Sequence, residues 1–205
     1  MALLNESEQR QVAEAINAVE RETDAELVTV LAAQADDYTY IPLLWASLVA
    51  LLLPGTLNYF FAWLSAQELL LVQWLTFAGV SLLLRIPALT TRLIPRAVRH
   101  WRASNLARRQ FLEHNLHHTT GATGMLIFVS EAEHYVEILV DRGISNRLPD
   151  ATWQAIVADF TQRVKQGQTL EGFLGCIQAC GEQLKQHVPA TDERNELPNR
   201  LVILP

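Results

Sequence analysis

The side chains best suited to chemistry in this chain are four aspartates and an arginine. Asp36 and Asp37 follow one strand-like run, Asp141 and Arg142 close another with Gly143 behind them, and Asp150 stands just before an apolar helical pattern. Open α/β sheets place ligands at strand ends. Paired carboxylates there could hold a hard cation such as calcium or activate water, and the guanidinium could clamp a phosphate. Each residue also has an ordinary structural role. Asp141 and Arg142 can shape a turn, Asp150 can cap a helix, and Asp36 and Asp37 can solvate the entry to the apolar segment that follows.

Other reactive types are sparse. His114, His117 and His118 are spaced i, i+3, i+4, so on a helix they would share a face and could ligate a metal. Their place before a glycine cluster favours a simpler role as imidazoliums at the negative end of a helix dipole. Cys176 and Cys180, also four apart, fit reduced core thiols better than a disulfide or a redox pair. No phosphate-binding loop, GxSxG, HExxH or dinucleotide fingerprint occurs. No catalytic residue or metal site is therefore assigned and no cofactor is required, though the aspartates would suit a divalent cation such as calcium.

What must position these residues is read from the charge pattern. No charged residue occurs from 38 to 67, and after Glu68 a second uncharged run covers 69–84. A bilayer core needs about 20 apolar residues per helix. Residues 41–64 and 69–86 supply two such lengths, joined by a polar SAQE turn at 65–68, with Pro54-Gly55 a place where the first helix can kink or stop. Seven of the 16 basic residues, Arg85, Arg92, Arg96, Arg99, Arg102, Arg108 and Arg109, lie in a stretch without acids, leaving nine to face all 22 acidic residues. Basic residues beside a span keep their loop cytoplasmic. Arg85, Arg92, Arg96, Arg99 and Arg102 would then lie at the membrane surface, with both chain ends in the cytoplasm. Few aromatics interleave with them, so nucleic acid is not an expected partner.

The rest reads as one α/β domain. Asn5 and Glu8 form a capping-box pattern before an amphipathic helix carrying Val12, Ile16 and Val19. Residues 25–32 read as a strand, 94–118 as a long helix ending at Gly121-Ala-Thr-Gly124, and 125–130 and 135–140 as a hairpin. Residues 151–166 and 170–187 read as helices capped by Asp150 and Thr169, and 201–204 as a short edge strand or part of a loose tail. The fold class is thus a small α/β sandwich of three or four strands with flanking helices, in two or three layers, interrupted by a transmembrane hairpin. Its segments are 1–38, 39–87 (the hairpin), 88–188 and the tail 189–205.

Several of these pieces, in this order, resemble the TPM domain family. They are Glu20-Arg-Glu-Thr23-Asp-Ala-Glu26, Asp36-Asp37-Tyr38, Gly121 to Ser130, Val136 to Ile144, Leu148-Pro-Asp150 and Gly172 in the closing helix. The likeness covers nearly all of the chain outside the hairpin. It is closest to a bacterial membrane group with two helices inserted after the first strand and a chain end near Asn195-Glu196-Leu197-Pro198. The resemblance implies a domain known as acid phosphatase, calcium-binding module or assembly factor. Gly143-Ile144-Ser145 stands where many relatives have a Gly-x-Gly turn, a departure that argues against carrying the phosphatase activity over.

The expectation is a membrane-anchored accessory or interaction protein of the bacterial inner membrane, non-catalytic, whose partners are the bilayer and other membrane or envelope proteins. Its oligomeric state is open. The alternative is a membrane-bound, metal-dependent phosphatase-type hydrolase using Asp37, Asp141, Arg142 and Asp150.

Overall fold

Residues 26–32, ELVTVLA, are apolar or β-branched almost without alternation, the pattern of a strand covered on both faces. In the computed structural model this strand, β1 (Glu26–Ala32), is buried at all seven positions. The structure describes residues 4–60, 63, 65–86, 94–191, 198 and 201–204. The chain divides into two compact units, Met1–Ala35 with His100–Pro205, and Asp36–Arg99.

In the first unit the chain runs α1 (Glu6–Glu20), β1, the later part of α4 (Arg96–Glu113), a 3-10 turn at Leu116–His118, β2 (Gly124–Ser130), β3 (Tyr135–Val140), the single-turn α5 (Arg142–Ser145), α6 (Ala151–Lys165), α7 (Thr169–His187) and β4 (Leu201–Leu204). The sheet order is β3-β2-β1-β4. β1 pairs in parallel with β2 in the register Glu26↔Gly124 to Ala32↔Ser130, and in parallel with β4. β2 and β3 form the expected antiparallel hairpin. The tail therefore closes one side of the sheet as a strand.

Alternate strand positions feed two cores, which settles the layer number at three. Leu27, Leu31, Met125, Ile127 and Val129 pack against Val12 and Ile16 of α1 and against Trp153, Phe160, Phe173 and Ile177 of α6 and α7. Val28, Val30, Leu126 and Phe128 face the other way, onto Ala103, Leu106 and Ala107 of α4. Fully buried rings such as Phe128, Phe160 and Phe173 each contribute roughly 1.5–3 kcal/mol by leaving water. Cys176 and Cys180 are buried free thiols with sulfurs 4.0 Å apart. The Cys180 contact and burial push the Cys176 thiol well up, as suits an inert core residue.

Three local expectations are corrected. The helix from 94 ends at Glu113, not at 118, because Asn115 takes a left-handed conformation (φ 57°) and the chain continues as the 3-10 turn. His114, His117 and His118 therefore do not share a helix face. Asp150 occupies the N-cap position of α6 but makes no side-chain capping bond, its backbone already being helical. Thr169 lies inside α7, with Gln168 at the cap, and its hydroxyl donates to Glu131 Oε1 at 3.0 Å. The capping box at α1 is formed as read: the Asn5 side chain accepts from the Ser7 and Glu8 amides while Glu8 Oε2 accepts from the Asn5 amide.

In the second unit, α2 (Tyr40–Phe60) and α3 (Ala66–Leu83) are both long and apolar enough to cross a membrane. At 1.5 Å per residue they span about 32 and 27 Å. α2 continues through Pro54 to Phe60, accepting one lost backbone bond. Ser65 and Glu68, read as a turn, instead form a capping box that starts α3. The helices pack on each other, and Ala46 and Ala50, four apart on α2, are buried, where small side chains allow close approach.

Candidate functional site

Three of the motifs singled out in the sequence, Thr23 to Glu26, Gly121 to Gly124 and Asp141 to Gly143, meet at one end of the sheet, where β1 and β2 begin and β3 ends. The Glu26 amide donates to Thr123 O at 3.2 Å, and the Thr123 hydroxyl donates to Asp24 O at 2.7 Å. The Asp141 amide donates to Gly124 O at 2.9 Å, and the Gly143 amide to Ala122 O at 2.8 Å. A side-chain carbon on Gly143 would lie 2.2 Å from Gly121 O, and one on Gly124 would lie 2.1 Å from Leu116 O. Two glycines are thus required because backbone approaches backbone. The segment after α7 joins them: the Asp24 amide and the Thr23 hydroxyl donate to Val188 O, and Asp24 Oδ1 accepts from the Thr191 amide at 2.9 Å.

The carboxylates here are largely engaged in holding loops. Asp24 takes both the amide and the hydroxyl of Thr191. Asp141 caps α5, its Oδ1 accepting from the Arg142 amide at 2.7 Å. Arg142 and Asp150 are exposed, and Gly143 is the contact glycine just described.

Asp141 leaves the sheet at the end opposite to the one where β1 finishes. β3 is antiparallel to β2, so Asp141 follows Val140, which pairs with Met125 at the start of β2, while β1 exits the sheet at Ala32, level with Ser130. The two ends are separated by five strand positions, about 17 Å. Asp36 and Asp37 belong to the other unit. There Asp36 Oδ1 accepts from the Tyr38 amide at 3.3 Å, shaping a turn around Tyr38 (φ 50°), whose ring is buried with Ile41 and Ile94. Of the surface arginines, Arg85, Arg96 and Arg99 lie in that unit and Arg102 in the first; Arg92 falls outside the described residues.

A second polar region lies at the opposite end of the sheet, where the parallel strands finish, the end at which such sheets usually bind ligands. The turn Glu131-Ala-Glu133-His134 carries it, with His134 left-handed (φ 50°). Buried Glu133 accepts from the Ala35 amide at 3.1 Å and from the Ser130 hydroxyl. A cavity of about 360 Å³ beside this turn is lined by Glu8, Glu131, His134, Lys165, Thr169 and Glu171. Its three carboxylates against one lysine suit a cationic group better than a phosphate. In the sequence this turn reads as a polar hairpin link; the signal for a site is two acids and a histidine within four residues at the exit of a buried strand. Among the described residues, no group of three or more His, Cys, Asp or Glu side chains is placed to hold a metal ion.

The comparisons with known proteins agree with this architecture. The NMR structure of the BA42 protein from the psychrophilic bacterium Bizionia argentinensis superposes with a TM-score of 0.61 at 17% identity, over 98% of this chain and 96% of that one. At that identity the likeness shows the fold alone. No curated protein matches the chain in sequence. The family model described as the TPM domain matches residues 93–183, from the approach to α4 into α7. Residues 93–183 of this chain therefore carry a TPM domain.

Proposed function

We propose that this chain is a membrane-anchored accessory protein, in which a hairpin of α2 and α3 lies in a bacterial cytoplasmic membrane and the TPM domain presents a cytoplasmic surface to other membrane or envelope proteins. One observation carries the reading. The helices of the second unit turn large apolar side chains outward: Leu44 is 65% exposed, Leu51 68%, Trp74 70% and Leu75 71%. Single exposed leucines are ordinary, but two helices clothed in them have lipid as their fitting solvent. Arg85, Arg96 and Arg99 flank the hairpin and Asp36 and Asp37 precede it, which supports both termini on the cytoplasmic side. Two helices inserted after the first strand also fit the membrane group that the sequence resembles.

The non-catalytic part of the reading is supported by how the acids are used. Asp24 and Asp141 hold backbone amides. Copurification from detergent-solubilised membranes of the same membrane or envelope protein in independent preparations is the expected result. Hydrolysis of a phosphomonoester that Asp141→Asn and Asp150→Asn abolish, with no recurring partner, would replace this reading by a membrane-bound phosphatase.

A further inference from the structure

α4 buries Ala103, Leu106, Ala107 and Gln110 against the sheet. At 100° per residue, the positions opposite that face are Trp101, Asn105, Arg108 and Leu112, with Arg102 and Arg109 beside them. The stripe is about 17 Å long. Trp101 is 58% exposed and Leu112 57%, and Arg108 and Arg109 are exposed as well. The Arg102 guanidinium stands 5.0 Å from the Trp101 ring centroid. The Arg109 ion pair to Glu113, at 3.5 Å, is largely open to solvent, so it is readily exchanged for another anion. α4 as a whole carries five arginines and a single acid, Glu113, whereas the chain is acidic overall at −6.

We propose that this outer face of α4 docks on the anionic headgroups of a bilayer, with Trp101 as its apolar anchor at the interface. The inference rests on the membrane-anchored reading and extends it: the TPM domain is held against the lipid through its own helix and not only through the chain entering α2 and leaving α3. Charge complementarity chooses the occupant. A cationic helix face with a tryptophan and a leucine among its arginines is the composition of an interfacial helix. Anionic lipid attracts each arginine within a Debye length. The acidic remainder of the domain is repelled, which orients α4 toward the membrane.

The test places an environment-sensitive fluorophore on Asn105→Cys in the full-length chain, the native cysteines being buried, and reconstitutes it in nanodiscs. Discs of phosphatidylcholine alone are compared with discs that also contain phosphatidylglycerol. The expected result is a blue-shifted, brighter emission only with phosphatidylglycerol, reversed by high salt and reduced by Trp101→Ala and by Arg108→Gln with Arg109→Gln. The same probe on Glu182→Cys, exposed on α7 in the layer across the sheet, stays water-like throughout. Equal, water-like emission at position 105 in both discs overturns the docking while the anchor stands. A shift that follows protein concentration instead of lipid charge overturns it in favour of a protein partner. Failure of the chain to float with lipid at all defeats the anchor and the docking together.

Discussion

Replacing Gly143 by alanine should destabilise the domain sharply, because the added methyl has nowhere to go. Its carbon would sit 2.2 Å from Gly121 O and 2.7 Å from Ala122 O, whereas carbon–oxygen contacts settle near ~3.3 Å or more. The backbone must open by about 1 Å to admit it. That movement breaks the Gly143 amide bond to Ala122 O, 2.8 Å long, and strains the neighbouring Asp141 amide bond to Gly124 O at 2.9 Å. One or two buried hydrogen bonds at about 1 kcal/mol each, with an overpacking cost of ~1–3 kcal/mol, give a loss of roughly 2–5 kcal/mol. For a domain of this size that is a fall in Tm of roughly 4–20 °C. The assay is thermal unfolding in detergent followed by circular dichroism, with Gly175→Ala as the matched comparison. Gly175 lies within α7 with nothing within 4 Å of an added carbon, so that change should stabilise by roughly 0.5–1 kcal/mol. A Gly143→Ala protein melting with the wild type, or shifted in the same direction as Gly175→Ala, would refute the claim that this glycine serves a backbone contact.

Asn5→Ala should cost about 1 kcal/mol by removing the capping box, while Asp150→Ala, which loses no capping bond, should stay within about 0.5 kcal/mol; denaturant melts of both variants check the contrast. Phe173→Ala removes a fully buried ring stacked edge-on to Phe160 at 4.9 Å and should cost roughly 3–5 kcal/mol in the same assay. Burial, offset in part by a Ser104 hydrogen bond and reinforced by Glu137, pushes the Tyr135 phenol up to about 12. An unfolded tyrosine ionises near ~10, so above that pH the unfolded chain releases a proton that the folded one keeps. Stability conferred by the neutral phenol is then complete below pH ~10 and is lost progressively toward pH 12. Melting curves of wild type should accordingly decline more steeply than those of Tyr135→Phe across this window, and parallel declines would contradict the assignment.

Hydropathy and charge made the elements of this fold legible, since β1 is apolar throughout, α1 carries its capping box, and two uncharged runs mark α2 and α3. What they could not convey was how β1 pairs. The polar link at 131–134 already reads as an antiparallel hairpin, but only the parallel register of β1 on β2 puts the exit of β1 at the end of the sheet away from Asp141. The histidine trio failed for a local reason, the left-handed Asn115, a conformation open to asparagine but not dictated by it. Asp150 had the residue type of a cap without the extended backbone a cap requires. The meeting of Asp24, Gly121–Gly124 and Asp141–Gly143 depends on pairing across about 100 residues of chain, a separation no local pattern encodes.

The anchor exists only if lipid surrounds α2 and α3. Labelling the full-length protein in native membranes with a carbene reagent confined to the acyl phase, followed by mass spectrometry, reads this directly. The expected label falls on Leu44, Leu51, Trp74, Leu75 and their neighbours and spares α6 and α7. Labelling of 40–60 and 66–83 no denser than that of 151–187 would show that these helices lie outside the bilayer, and the anchor would have to be abandoned.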